Sequence, residues 1–219
     1  MTARHPILFA AILMAGSTAA ANAAEDASAE VARPDPTSKA LDTTHRHLGL
    51  FIRPDVGIGY FRASASPGGV DTSLSGLAGT FGIAVGGAIS ENSILAFHVW
   101  DMVVTNPTYT TGGTTYENVD ATVTIMAFGP QYTAYTADNV YFSVTPALTR
   151  GSISTQGSTS DSDWGFGLRG AIGKEWWVAD RWALGIAGHV SLSTNRAPGT
   201  DGGTWTSWGA SVAFSATYN

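Results

Sequence analysis

Seven ionisable residues, Arg53, Asp55, His98, Asp120, Arg169, Glu175 and His189, recur at one parity within runs of alternating residue type. Each is expected to project from the strand face that carries Gly, Ala, Ser and Thr, opposite the face that carries the large apolar side chains. Three chemistries suit such a set. Paired acids and bases with intervening histidines can form a mutually compensating ionic and hydrogen-bond network. The same groups can line a polar path for small solutes or protons, for which small residues such as Gly57, Gly59, Gly82, Gly86, Gly165, Gly167 and Gly185 leave room. A histidine beside a hydroxyl, His189 with Ser191 or with Ser143 and Thr145, is the pattern of a hydrolase. Charges inside a narrow enclosure are costly unless paired, so the network is the leading reading and the pore-lining one follows. Ser and Thr are so frequent on this face that their nearness to histidine needs no catalytic cause.

Two further patterns are weak. Gly165-Phe166-Gly167-Leu168-Arg169-Gly170 matches a dinucleotide fingerprint letter by letter, but it sits inside an alternating run with no helix after it. His45 and His47 could hold a metal, yet two ligands on a flexible segment make a poor site. No catalytic residue, cofactor site or metal site is predicted.

The elements that position these residues are strands. Alternation begins at Leu48 and defines eight segments. Ile52, Val56, Ile58 and Tyr60 oppose Arg53, Asp55, Gly57 and Gly59 in the first, and Phe81, Ile83 and Val85 oppose Gly82, Ala84 and Gly86 in the second. Leu95, Phe97 and Val99 oppose Ala96, His98 and Trp100. The fourth run sets Ala121, Val123 and Ile125 against Asp120, Thr122 and Thr124, with a change of register expected at Gly129-Pro130. Val140, Phe142 and Val144 oppose Tyr141, Ser143 and Thr145. Trp164, Phe166 and Leu168 oppose Gly165, Gly167 and Arg169. Leu184, Ile186 and Val190 oppose Gly185, Ala187 and His189, and Ser207 to Tyr218 form the last. One face is bulky and apolar and the other small, polar or charged, which is inside-out for a soluble barrel and right for one in lipid. The expected fold is an all-β, closed eight-stranded antiparallel transmembrane β-barrel; a soluble lipocalin-like binder is the alternative.

The connections alternate in length. Residues 90–93, 136–139 and 178–181 are tight polar turns, and residues 64–76, 105–118, 155–163 and 194–204 are longer linkers, matching short periplasmic turns and long extracellular loops. Trp176, Trp177, Trp182, Tyr135, Tyr141 and Tyr218 would form one interfacial girdle, and Tyr60, Trp100, Trp164, Trp205 and Trp208 the other. Pro54, Pro130 and Pro146 fall within strands and predict bulges, because a closed barrel has no free edge. Asp101 and Lys174 have lipid-facing parity, near the outer rim and the inner headgroups respectively.

Residues 1–23 read as a secretory signal peptide, basic at Arg4, apolar from Ile7 to Met14 and small at Ala21-Asn22-Ala23. Residues 24–47 read as a flexible periplasmic leader, and residues 48–219 as the barrel. Cleavage after Ala23 removes Arg4 and no acid, so the mature chain is one unit more negative than −6. That charge excludes a nucleic-acid binder. With no cysteine there is no disulfide, thiolate metal site or lipid-anchored cysteine. No run after the signal is apolar for 18 residues, which excludes a helical membrane span.

The terminal run Ser207-Trp208-Gly209-Ala210-Ser211-Val212-Ala213-Phe214, continuing to Tyr218, resembles the C-terminal signal by which bacterial outer-membrane barrels are assembled. The chain as a whole resembles the small eight-stranded outer-membrane barrels of the OmpA and OmpX transmembrane type. More narrowly, Gly173-Lys174-Glu175-Trp176-Trp177-Val178-Ala179-Asp180-Arg181-Trp182 and Phe214-Ser215-Ala216-Thr217-Tyr218-Asn219 resemble a family of outer-membrane barrels common in myxobacteria-like genomes. The resemblance covers 48–219 and implies fold and outer-membrane location, without an activity. It departs at the last residue, where Asn219 stands in place of an aromatic. It implies contact with outer-membrane lipids and lipopolysaccharide, and with the barrel-assembly machinery through the last strand; a surface partner is unidentified. The expected role is structural or surface-interactive. A narrow porin-like channel is the alternative, and a lipid hydrolase or acyltransferase using His189 or His98 a third.

Overall fold

The computed structural model describes residues 47–198 and 203–219. The signal peptide, its cleavage site, His45 and the leader up to residue 46 lie outside these residues. Eight long strands form the wall: β1 (Leu50–Ala65), β2 (Thr72–Ser90), β3 (Ser93–Thr105), β6 (Ala121–Tyr135), β7 (Val140–Thr155), β9 (Gly165–Ala179), β10 (Trp182–Arg196) and β11 (Thr204–Tyr218). Three short strands, β4 (Thr108–Thr111), β5 (Thr114–Tyr116) and β8 (Ser158–Asp161), extend the loops at one end. Every pairing is antiparallel, and β1 pairs with both β2 and β11, so the sheet closes on itself. Closure satisfies the backbone without water, which is the condition for strands to cross lipid.

The linkers 64–76, 105–118 and 155–163, read from sequence as loops, are strand over part of their length. β4 pairs with β2 and β5, and β8 pairs with β7, so these hairpins prolong the wall outward. The opposite end carries the tight turns. In one of them Asn139 takes the left-handed conformation (φ 57). Its amide donates to Thr136 O at 3.0 Å, while Thr136 N donates to Val140 O at 2.8 Å.

Polarity inverts along β1. Outward positions of β1 run Leu50, Ile52, Val56, Ile58 and Tyr60, then change to Arg62 and Ser64; inward positions run Arg53, Asp55, Gly57 and Gly59, then change to Phe61 and Ala63. β6 repeats the inversion: beyond Phe128 and Met126 the outside becomes Thr124 and Thr122, while Ile125, Val123 and Ala121 turn inward. The inner half of the wall is therefore built for lipid, about 11 residues per strand, as a tilted crossing requires. The outer half is an ordinary water-facing barrel with an apolar core. The expectation of a small or polar inner face fails in the outer half, and within the lipid belt it holds apart from the buried Phe51, Ile94, Trp100, Tyr135 and Tyr141.

Three other expectations are corrected. Pro54, Pro130 and Pro146 make no bulges, and the register runs unbroken through each. The ladder between β6 and β7 instead skips from Phe128↔Leu148 to Tyr132↔Val144, so Pro130 and Pro146 face each other inside one gap and share the loss of pairing. For the same reason the register change at Gly129-Pro130 does not occur. The bulges lie next to tight turns, between Ala88 and Ser90 and between Trp182 and Ala183. Finally, Trp100, Tyr135, Tyr141, Trp177 and Trp205 are not girdle residues: strand parity turns all five inward, the first three fully buried and the last two partly so. Tyr60, Trp164 and Trp208 on one side and Trp176 and Trp182 on the other remain exposed on the exterior.

Candidate functional site

Inside the lipid belt the lumen holds two ion pairs. Arg169 Nη2 lies 3.4 Å from Asp55 Oδ1, and Arg53 Nη1 lies 3.7 Å from Glu175 Oε1, with all four side chains buried. Two cations thus face two anions, the balance that buried charges need. Space for them comes from glycine at the facing positions. A Cβ on Gly82 would collide with the Asp55 carboxylate, and one on Gly173 with the Tyr141 ring, whose centroid lies 4.4 Å from Arg53 Cζ.

Each charge is further held by neutral groups. Glu175 accepts from Thr217 Oγ1 at 2.7 Å and from the Tyr135 hydroxyl at 3.2 Å. Arg169 contacts His189 Nδ1 and stands over the Trp100 ring, 5.3 Å from its centroid. Gln131 joins the two pairs: its Oε1 accepts from Arg53 Nη2 at 2.9 Å, and its Nε2 lies 3.0 Å from His98 Nδ1 and donates to Thr145 Oγ1 at 3.1 Å. An amide nitrogen only donates, so His98 Nδ1 is the acceptor in this contact, and His98 Nε2 lies 3.8 Å from Asp55 Oδ2, beyond hydrogen-bond distance.

Six of the seven residues singled out in the sequence, Arg53, Asp55, His98, Arg169, Glu175 and His189, meet in this network. Asp120 does not. It is exposed ahead of β6 and accepts a hydrogen bond from Gln156, because β6 begins only at Ala121 and the preceding residues belong to the outer connection. Sequence reading missed Gln131, which binds the two halves, and the inward aromatics. Uninterrupted odd-numbered parity from Ala121 through Tyr135 points to Gln131 once Pro130 is taken as a lipid-facing residue.

Ser191 and Thr145 are engaged elsewhere. Ser191 Oγ donates to Met102 Sδ at 3.4 Å, and His189 is turned to Arg169. Thr145 lies 3.5 Å from His98 Nδ1 but is fully buried and takes the Gln131 amide. The exterior residues Asp101 and Lys174 find local partners, Asp101 accepting from Phe81 N at 3.2 Å and Lys174 standing 6.0 Å from the Trp176 ring centroid.

Below the network the lumen is capped by His47, placed by its number at the end of the leader but buried here. Its ring stacks on Tyr135 at 3.6 Å and lies 5.2 Å from Trp177. Burial pulls the His47 pKa below its ordinary value, against the opposing pull of Asn219 and Glu175. Above the network, Trp100 and Met102 close the lumen around a void of about 10 Å³.

No protein-family model and no curated protein matches the chain. Solved structures do. Neisserial surface protein A aligns at a TM-score of 0.50 with 19% identity over 78% of this chain and 96% of its own. The outer membrane protein OprG from Pseudomonas aeruginosa aligns at 0.48 with 10% identity over 81% and 99%. The fold is that of a small bacterial outer-membrane β-barrel, and the apolar exterior of the inner half independently requires lipid around it.

Proposed function

We propose that this chain is an integral outer-membrane barrel whose lumen is closed and whose role is exercised by the hairpins it holds beyond the bilayer. The observation that carries this reading is the filled lumen, in which Arg53, Glu175, Asp55 and Arg169 are fixed by direct contacts between His47 on one side and Trp100 on the other. A solute path would need those contacts to part together. The outer half supports the same reading, because a water-facing barrel with its own core is a rigid mount for β4, β5 and β8. Lipid and lipopolysaccharide surround the belt in this account, and the last strand is the segment offered to the assembly machinery.

Display is tested in intact cells. The chain has no cysteine, so single cysteines report cleanly. Thr115→Cys and Gly157→Cys should react with a membrane-impermeant maleimide, while Asp138→Cys should react only after the outer membrane is permeabilised. The reverse pattern would overturn the proposed orientation.

A further inference from the structure

The apolar core of the outer half is not completely filled. A cavity of about 100 Å³ lies among Phe61, Leu74, Val123, Ile125, Ile153 and Trp205. Of the polar side chains on its border, Asn195, Ser162 and Ser207 are already hydrogen-bonded and Asp161 is paired with Arg150. Asn195 Nδ2 donates to Thr149 O at 2.9 Å and to Asp163 O at 3.3 Å, and its Oδ1 accepts from Thr149 Oγ1 at 3.2 Å. Ser162 Oγ accepts from Gly151 N at 2.9 Å and donates to Asp163 O at 2.8 Å. Ser193 and Ser207 bond each other at 2.5 Å. Water entering the cavity would find few partners, and apolar cavities of roughly 150 Å³ stay dry and take up a single hydrocarbon ring.

The cavity also has an entrance. β7 pairs with β9 as far as Thr149↔Gly165 and from Ser152↔Asp161 onward pairs with β8, whereas β10 beyond Thr194 pairs only with β11. Among the described residues, β8 therefore has no strand on its other edge. Below this break, among the described residues, the wall is joined by one backbone hydrogen bond, Asp163 N to Arg196 O at 2.9 Å, and by the Asn195 side chain, which donates to Thr149 O and Asp163 O. Ser160 and Asp161 flank the cavity from one side of the break, and Ala197 and Pro198 from the other. The break lies just outside the exposed ring of Trp164, at the outer edge of the lipid belt.

We infer that the outer half of the barrel is a blind binding site for a small hydrocarbon moiety, one unsubstituted ring or the end of an alkyl chain, admitted through the break between β8 and β10. The ionic network beneath bars onward passage, so the site holds its ligand rather than conducting it.

The test uses the full mature chain, labelled at isoleucine δ1 methyls, in nanodiscs of chain-deuterated phosphatidylcholine. Titrated benzene should shift the Ile125 and Ile153 methyls saturably, while the lipid-facing Ile58 and Ile172 methyls drift without saturation. Ala63→Phe, which fills the cavity, should abolish the saturable shift, and Ile153→Ala, which enlarges it, should tighten the shift at Ile125. With protonated lipid chains and no benzene, a chain-to-methyl Overhauser effect at Ile125 identifies a lipid chain as the natural occupant; saturation by benzene without that effect identifies a free apolar solute. Either supports the site. Linear drift at all four methyls, or a saturable shift that survives in Ala63→Phe, overturns it, and Ile153→Ala decides the matter should the filled variant not fold.

Discussion

Asp55 and Arg169 are 114 residues apart in the chain and 3.4 Å apart across the lumen. Their pairing links the first strand to the far wall of the barrel. Asp55→Ala alone leaves a buried guanidinium without its anion and should cost about 3–5 kcal/mol, whereas Asp55→Leu with Arg169→Met should cost less than either single change. Urea unfolding of the refolded protein in micelles measures both. Losses that simply add would show that the two side chains act independently.

Gly129 and Gly170 predict opposite outcomes for one substitution. A Cβ on Gly129 would drive into the carbonyl of Pro146 inside the proline gap, whereas one on Gly170 meets nothing within 4 Å. Gly129→Ala should destabilise by about 1–3 kcal/mol, as overpacking does, and Gly170→Ala should stay within about 0.5 kcal/mol of the parent. The same unfolding assay compares them, and equal effects would contradict the continuous register through Pro130 and Pro146.

His47 gives the barrel a pH dependence of known sign. Its pKa in the folded protein is lowered from 6.5 by burial, so the folded state binds this proton less readily than the unfolded state. The stability it contributes is complete above 6.5 and is lost as pH falls below that value. Thermal unfolding should therefore shift down between about pH 7.5 and about pH 5 by more in the parent than in His47→Phe, which keeps the stack on Tyr135 without the titration. Equal shifts would place His47 outside the folded lumen.

The barrel and its inward charges are legible in the sequence because lipid on one face and a narrow lumen on the other sort residues at a period of two. Arg53, Asp55, His98, Arg169, Glu175 and His189 all follow that sorting. The rule fails where the solvent changes. Asp120 reads as a lumen residue because Thr122 and Thr124 resemble an inner face, but they stand outside lipid, where a polar exterior and an apolar interior are the stable arrangement. Trp100, Tyr135 and Tyr141 lie near strand ends, as girdle residues would, but their parity turns them inward, where Tyr141 and Trp100 offer ring faces to Arg53 and Arg169 and Tyr135 donates to Glu175. The proline gap was not legible, since nothing local to Pro130 reveals that Pro146 lies opposite it.

The closed lumen is tested most directly by single-channel recording of the refolded chain in a planar bilayer, with Arg53→Ala and Arg169→Ala beside it. Stable insertion without conductance steps in the parent is the predicted result, with steps appearing, if at all, only in the variants that open the network. Reproducible steps in the parent, altered in size or ion selectivity by either substitution, would contradict the account and make the lumen charges the lining of a pore.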